Sequence, residues 1–380
     1  MVRQWLYLIM LVLFVAPVAC APNQVAVTSS PTPAASAPVS PLTSNILTSA
    51  SQDVAWSSVV AAAKKEGKVT IYSYKMIGDT SAAISQSFKE KYGISVDIVS
   101  GRGSELVEKI LTEQRVGQAT ADLMESGPTT LYTLKDAKLT VSSADIPVLQ
   151  EKDVWLVDPR VSDETGHILV NSLNSYFGAV INTRLVKASD EPKSLRDLTQ
   201  PKWAGKMTTY DTTVSAAGYN FFYTLLRRKF TDQETMRTFG RNNVKFAVNL
   251  ASGSMDVARG DFAMFVGAAD SLFARSAAEG APVKAIAFEE GTVVAGSAIA
   301  AVISPHPNAA KLFINWLLTP EGQNMFLKDL HVASPRKDAP DFRLEALRVP
   351  AGRLIATTHE DDVEINRAFT EKFLPKLWKE

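Results

Sequence analysis

The chain has one cysteine among its 380 residues. That excludes an intramolecular disulfide and a cysteine-built metal site. The four histidines, His167, His306, His331 and His359, show no metal-ligand spacing, so no metal and no cofactor is expected. Charge of one sign is also lacking, since 40 basic residues balance 40 acidic ones. A general attraction to nucleic acid or to anionic lipid is therefore not expected. The near-continuous apolar run from Trp5 to Val15 is too short for a membrane span. No G-x-S-x-G elbow occurs. Gly205-Lys206 is followed by Met207, which spoils a phosphate loop, and Leu106 stands where a dinucleotide fingerprint needs its third glycine. No nucleophile, base and oxyanion donor assemble, so an enzyme is not expected.

The N-terminus carries a leader instead. Arg3 gives a positive start, the apolar run comes next, and Val18-Ala19-Cys20 closes it. This is a secretory signal layout. A small residue before a lone cysteine resembles a bacterial lipobox, with Pro17 where leucine is usual. Residues 1–20 are read as a lipoprotein signal peptide and Cys20 as the lipid-anchored residue, the only link to a membrane. Residues 21–52 are rich in proline, serine, threonine and alanine. Such a stretch buries too little apolar surface to offset its ordering entropy, and is read as a disordered tether.

Folded sequence begins near Asp53. Trp56, Val59, Val60 and Ala63 mark one helical stripe. Strands are expected over 68–73, 94–99 and 121–124, with helices between them carrying Ile84, Phe88 and Tyr92, then Leu106, Ile110 and Leu111. Alternating strands and helices predict a parallel sheet with crossover helices. The pattern restarts near Ser175, with strands over 176–181, 205–210 and 262–266 and an aromatic helix from Tyr219 to Leu226. A long apolar strand is expected over 291–303 and an amphipathic helix over 307–318.

Ligands on such sheets lie outside the carboxyl ends of the strands. Those ends offer Ser73 and Tyr74, Arg102 and Ser104, and Ser126 in the first unit. The second offers Asp211, Thr212 and Thr213, then Gly267 and Asp270. These residues are the candidate ligand-binding set, and none is assigned a catalytic role. Tyr74 is suited to stack on a ligand or hydrogen-bond to it. Asp211 and Asp270 are possible paired carboxylates, with helix capping as the plainer role for Asp211. The hydroxyls, the helix N-termini and Arg102 suit an anion.

Several segments together resemble the family 1 extracellular solute-binding proteins of ABC importers, and within them the ferric-iron-type group. They are Trp56 with Gly67 to Ser73; Arg102 to Leu106; Ala121-Asp122; Pro192 to Leu198 with Pro201 to Lys206; and Pro307 to Gln323. The resemblance covers about residues 55–335. It implies an α/β, two-lobed periplasmic-binding-protein type II fold, each lobe a mixed β-sheet flanked by helices, joined by crossover hinge strands. On this reading residues 53–174 begin lobe 1, 175–290 form lobe 2, and 291–380 supply the return hinge strand and C-terminal helices on lobe 1. Segments 169–179 and 291–303 are the hinge candidates. The family implies a monomer that captures a small ligand in the cleft by hinge closure and delivers it to a permease and ATPase at the bacterial cell envelope. Ferric binders of the group hold iron with an adjacent tyrosine pair, and the corresponding stretch here is Val266 to Asp270, with Ala268-Ala269 in those positions. A small polar, anionic organic solute is therefore expected rather than bare iron. Iron or an iron chelate, and a sensor that signals to a membrane receptor, are the alternatives.

Overall fold

The computed structural model describes residues 41–211, 216–247, 249–348 and 354–356, together with Trp378. Cys20, Thr212 and Thr213 lie outside the described residues. The chain forms two compact units, Met1–Ser49 and Ala50–Glu380, and both of its sheets belong to the second.

In chain order the first elements are α1 (Pro41–Glu66), β1 (Lys68–Ser73), α2 (Gly78–Tyr92), β2 (Ser95–Ser100), α3 (Gly103–Arg115), β3 (Leu123–Ser126), α4 (Pro128–Asp136) and β4 (Thr140–Val141). After two 3-10 turns come β5 (Leu169–Tyr176) and β6 (Ala179–Asn182). Next are β7 (Met207–Tyr210), α5 (Ala216–Arg227), α6 (Gln233–Arg241), β8 (Lys245–Ala247), α7 (Leu250–Arg259), β9 (Met264–Val266), α8 (Asp270–Ala278) and β10 (Val283–Ile286). The last described elements are β11 (Thr292–Val302), α9 (Pro307–Leu317), α10 (Pro320–Leu327) and β12 (Leu354–Ala356). Among the described residues no helix is long and apolar enough to cross a membrane.

The first sheet runs β12-β11-β3-β1-β2, with β4 and β5 also paired to β11; the second runs β10-β6-β9-β7-β8. β1 pairs in parallel with both β2 and β3, as the alternation of strands and helices predicts. β11 then pairs antiparallel with β3, which makes the sheet mixed. Successive side chains of a strand face opposite sides. Val69 and Ile71 thus enter a core with Ile84, Phe88, Phe313 and Trp316, while Tyr72 enters another with Leu106, Ile110 and Leu131. The Phe88 ring lies 5.1 Å from Phe313 and 5.3 Å from Trp316, a spacing typical of favourable aromatic pairs. In the second lobe Met264 and Val266 face Phe221, Phe222 and Trp203, and Phe265 faces Tyr210 and Phe273.

Helix ends obey their local chemistry. Gly93 takes φ 74° after α2 and donates its N–H to Lys89 at 2.8 Å, a left-handed turn that glycine adopts without steric cost. Asp232 caps α6 by accepting the Thr235 N–H at 2.7 Å, and Asn249 caps α7 by accepting that of Ser252 at 3.1 Å.

Besides two-residue offsets at the starts of β3 and β9, four sequence expectations shift. α1 starts at Pro41, inside the stretch read as tether. The strand expected over 176–181 splits into β5 and β6 around Gly178, where a Cβ would stand 2.2 Å from the Phe288 ring. The strand expected over 205–210 starts at Met207, because Gly205 turns the chain at φ 70°. The C-terminal region read as returning to lobe 1 divides between the lobes. α9 and α10 pack on lobe 1, but Leu347 and Trp378 are buried in the two cores of lobe 2. Gly240 explains the second case: its bare α-carbon admits the Trp378 ring, 2.4 Å from where a Cβ would be.

Among the described residues, three segments therefore pass between the lobes. β11 places Ile299 and Ala301 in a lobe 1 core and Val293 and Ala295 in a lobe 2 core. The β5–β6 segment runs antiparallel beside it, with a register shift between Ser297 and Ala298. The third is 337–346, which sequence periodicity does not mark. It leaves lobe 1 at Arg336, a buried guanidinium 2.7 Å from both Glu151 and Asp338 and 4.9 Å from the centre of the Trp155 ring.

Candidate functional site

The first-lobe strand ends meet at the Ser73-Tyr74-Lys75 turn. Ser73 pairs with Glu125 across β1 and β3, and its hydroxyl donates to Glu125 Oε2 at 2.7 Å. The same oxygen of Ser73 accepts the backbone N–H of Met76 at 2.8 Å and of Lys75 at 3.1 Å. Ser73 is thus occupied in shaping the turn. Tyr74 reaches across to β11, its phenol 2.6 Å from Ser297 Oγ. Burial pushes that phenol well above the ordinary tyrosine range, so it stays protonated at neutral pH.

Lys75 points at the hinge. Its ammonium donates to Ser172 Oγ and Asn174 Oδ1 of β5, each at 3.2 Å. Burial holds it below the ordinary lysine range, against the opposing pull of the Glu125 and Asp270 carboxylates. Burial likewise pushes Glu125 up to about 6, against the pull of Lys75 and the bond from Ser73. The second Glu125 oxygen, Oε1, is buried without a hydrogen-bond partner.

The second lobe contributes Asp270, the first residue of α8, which is fully buried. One of its oxygens accepts the Ser175 N–H from β5 at 3.0 Å, and the other accepts its neighbour Ser271 N–H at 2.7 Å. Burial lifts this carboxyl to about 6, opposed by those two N–H bonds and by the charges of Lys75 and Arg343. Arg343, on the third connection, donates to Ser175 Oγ at 3.3 Å. Tyr210, at the end of β7, accepts the Ala269 N–H at 3.0 Å and so fixes the turn before α8.

The sequence-derived candidates separate accordingly. Ser73 and Tyr74 gather around Glu125, and Ser126 is its neighbour in the chain. Asp270 joins them through Ser175, next to the Asn174 that holds Lys75. Ser126 is 3% exposed, and α3 passes so close that a Cβ on Gly103 would stand 2.4 Å from its hydroxyl. Arg102 does not join: its side chain is 85% exposed and its ion pair is with Glu105 at 3.7 Å. Ser104 is exposed. Asp211 is half-buried and donates its N–H to Ala247 at 3.2 Å. Gly267 takes φ 71° and donates to Gly178 at 3.0 Å, serving the backbone of the hinge. Sequence reading sees Lys75 and Glu125 at the strand ends without placing them in the set, and passes over Ser172, Asn174 and Arg343. A lysine after an apolar strand is an ordinary solvated residue until β5 closes over it.

A mixed sheet pair with convergent strand ends and crossover strands defines a binding protein of the two-lobed class. The profile of the bacterial extracellular solute-binding proteins matches residues 83–347, and the chain belongs to that family. Solved structures show the same fold. Iron-bound HitA from Pseudomonas aeruginosa is 21% identical, with a TM-score of 0.61 over 82% of this chain and 98% of that one. FutA from Trichodesmium, in complex with iron and citrate, is 20% identical, with a TM-score of 0.64 over 82% and 98%. AfuA from Actinobacillus pleuropneumoniae, with fructose-6-phosphate bound, is 18% identical, with a TM-score of 0.58 over 80% and 98%. Comparison with curated proteins yields no match.

Proposed function

We propose that this protein is the binding component of an ABC importer for a small polar, anionic organic solute, held in the cleft where Tyr74, Lys75 and Ser126 meet the hinge. The observation that carries the reading is Lys75. Its ammonium is held by Ser172 and Asn174 on the hinge strand, close to carboxylates of both lobes. A ligand anion placed there touches the first lobe and the connection at once, and lies close to Asp270 of the second lobe, which is bonded to the same strand through Ser175. Contact with both lobes is what favours a closed state over an open one. Neighbours of this fold carry bound iron, iron with citrate, or a sugar phosphate. Ala268 and Ala269 bring no side-chain oxygen here, so an iron cargo fits best as a chelate whose own carboxylates face Lys75.

Thermal-shift measurements with organic carboxylates, phosphates and ferric citrate test the reading. A stabilising anion whose effect is lost in Lys75→Met is the expected result. Stabilisation by amines alone, or an anion effect indifferent to Lys75→Met, counts against it. Delivery is tested by co-purification with a permease and ATPase, and the anchor by loss of labelled palmitate in Cys20→Ser.

A further inference from the structure

Lys75 and Glu125 can be treated as a hydrogen-bond inventory. A lysine ammonium carries three N–H groups and an ionised carboxylate has two accepting oxygens. Two of the Lys75 N–H groups go to Ser172 and Asn174, which leaves one donor without an oxygen acceptor, with the Tyr74 ring centre 5.6 Å from the ammonium. Glu125 Oε2 accepts from the Ser73 hydroxyl at 2.7 Å and from the Lys75 backbone N–H at 3.3 Å. Oε1 accepts nothing, although the residue is 0% exposed. Leaving such an oxygen unmatched is costly, more so for a charged group than a neutral one. Ser73 and Glu125 are register partners and Lys75 lies two residues beyond Ser73, so the spare acceptor stands on the strand end beside the turn that carries the spare donor, near enough for each charge to act on the other.

The unused donor and the unused acceptor ask different things of a ligand. A plain anion satisfies Lys75 but sets like charge beside Glu125. A plain cation satisfies Glu125 but meets the Lys75 ammonium. Only a molecule with both an acceptor of negative charge and a donor answers both. We infer, building on the importer reading, that the ligand is an amino- or hydroxy-substituted organic acid, its anion on Lys75 and its ammonium or hydroxyl on Glu125 Oε1. The adjacent Ser126 hydroxyl, buried and able both to donate and to accept, suits either half.

Glu125→Gln separates the two donor types. The Ser73 hydroxyl and the Lys75 N–H both donate to one oxygen, so the amide oxygen must take that side. The amide NH₂ then stands where Oε1 stood. An ammonium cannot donate to it, whereas a hydroxyl can turn and accept from it.

The test is isothermal titration calorimetry of the purified protein with 4-aminobutyrate and 4-hydroxybutyrate against butyrate, glycerol 1-phosphate against propyl phosphate, and butylamine. The donor-bearing acids should bind about ten-fold or more tightly than their bare partners, from one hydrogen bond to a charged group. Glu125→Gln should abolish the advantage of the amine and keep most of that of the hydroxyls. Equal binding of butyrate and 4-aminobutyrate, and of the two phosphates, overturns this inference and leaves the anion reading standing. Tighter binding of butylamine than of any acid overturns the anion reading itself. Failure of all six at millimolar concentration overturns both. The wild-type comparison needs no variant, so it decides even if Glu125→Gln fails to fold.

Discussion

Asp270, the first residue of a second-lobe helix, accepts the backbone N–H of Ser175 on the hinge strand at 3.0 Å. One carboxylate thereby joins a lobe to the segment that connects it to the other. Asp270→Ala strands the N–H of Ser175 in a buried place and removes the acceptor of the Ser271 N–H at the start of the helix. The expected loss is about 2–3 kcal/mol in urea unfolding. Asp270→Asn keeps one acceptor and should lose less. A change below about 0.5 kcal/mol for the alanine variant, the size of an ordinary surface substitution, would sink this role.

Acid titration should show these two carboxyls with the opposite sign from most. Glu125 and Asp270 both sit near 6 in the folded protein, above their unfolded values of 4.5 and 3.8. Between those limits the native state holds more protons than the unfolded one, so their contribution falls as pH rises. The loss is complete above pH about 6, and their contribution is greatest below pH about 4. Asp158, Asp163, Asp338 and Asp341 are held low by the arginine or lysine and hydrogen-bond partners beside them, and add stability as pH rises through the acid range. Stability measured from pH 4 to 7 should therefore decline less in Glu125→Gln than in the wild type. Identical slopes would refute the assignment.

Gly267→Ala meets two obstacles. The residue sits at φ 71°, and an added Cβ would lie 2.6 Å from Cδ1 of Phe221. The left-handed backbone and the overpacked ring together should cost about 2–4 kcal/mol. Chemical denaturation measures this, and a variant as stable as the wild type would show that Phe221 moves freely.

Trp378 stacks on Phe246 at 4.7 Å and meets Phe222 edge-on at 5.2 Å. Removing it by Trp378→Ala should cost about 3–5 kcal/mol. Ending the chain before residue 378 should do the same. Retention of the wild-type melting temperature by either would place the second-lobe core elsewhere.

Much of the fold is legible in the sequence because its strands obey simple rules. The run from Lys68 to Ser73 is rich in β-branched and aromatic residues and follows Gly67, and it forms β1 at those residues. Thr292–Val302 is wholly buried, as its lack of charge predicts. The site is less legible, for a physical reason. Lys75 is drawn out of solvent toward the hinge strand by Ser172 and Asn174, 97 and 99 residues along the chain. Arg102 shows the converse: its strand-end position favours a ligand role, yet nothing folds over it and it remains in solvent. The third connection carries no periodic pattern, since residues 337–346 are held by ion pairs such as Arg343 with Asp341 at 2.8 Å rather than by an apolar face.

β11 has a mechanical consequence. It passes from one lobe core to the other without interruption, all eleven of its residues buried, and is laddered to β5 from Val293 to Ile299. A beam of this kind bends elastically; it does not swivel at a loose joint. The resting angle of the cleft is then a property of the ladder itself, with the register shift at Ser297 as its softest point. Amide protons on either side of that shift should exchange slowly whether the cleft is full or empty, while those at the shift report how far the beam is flexed.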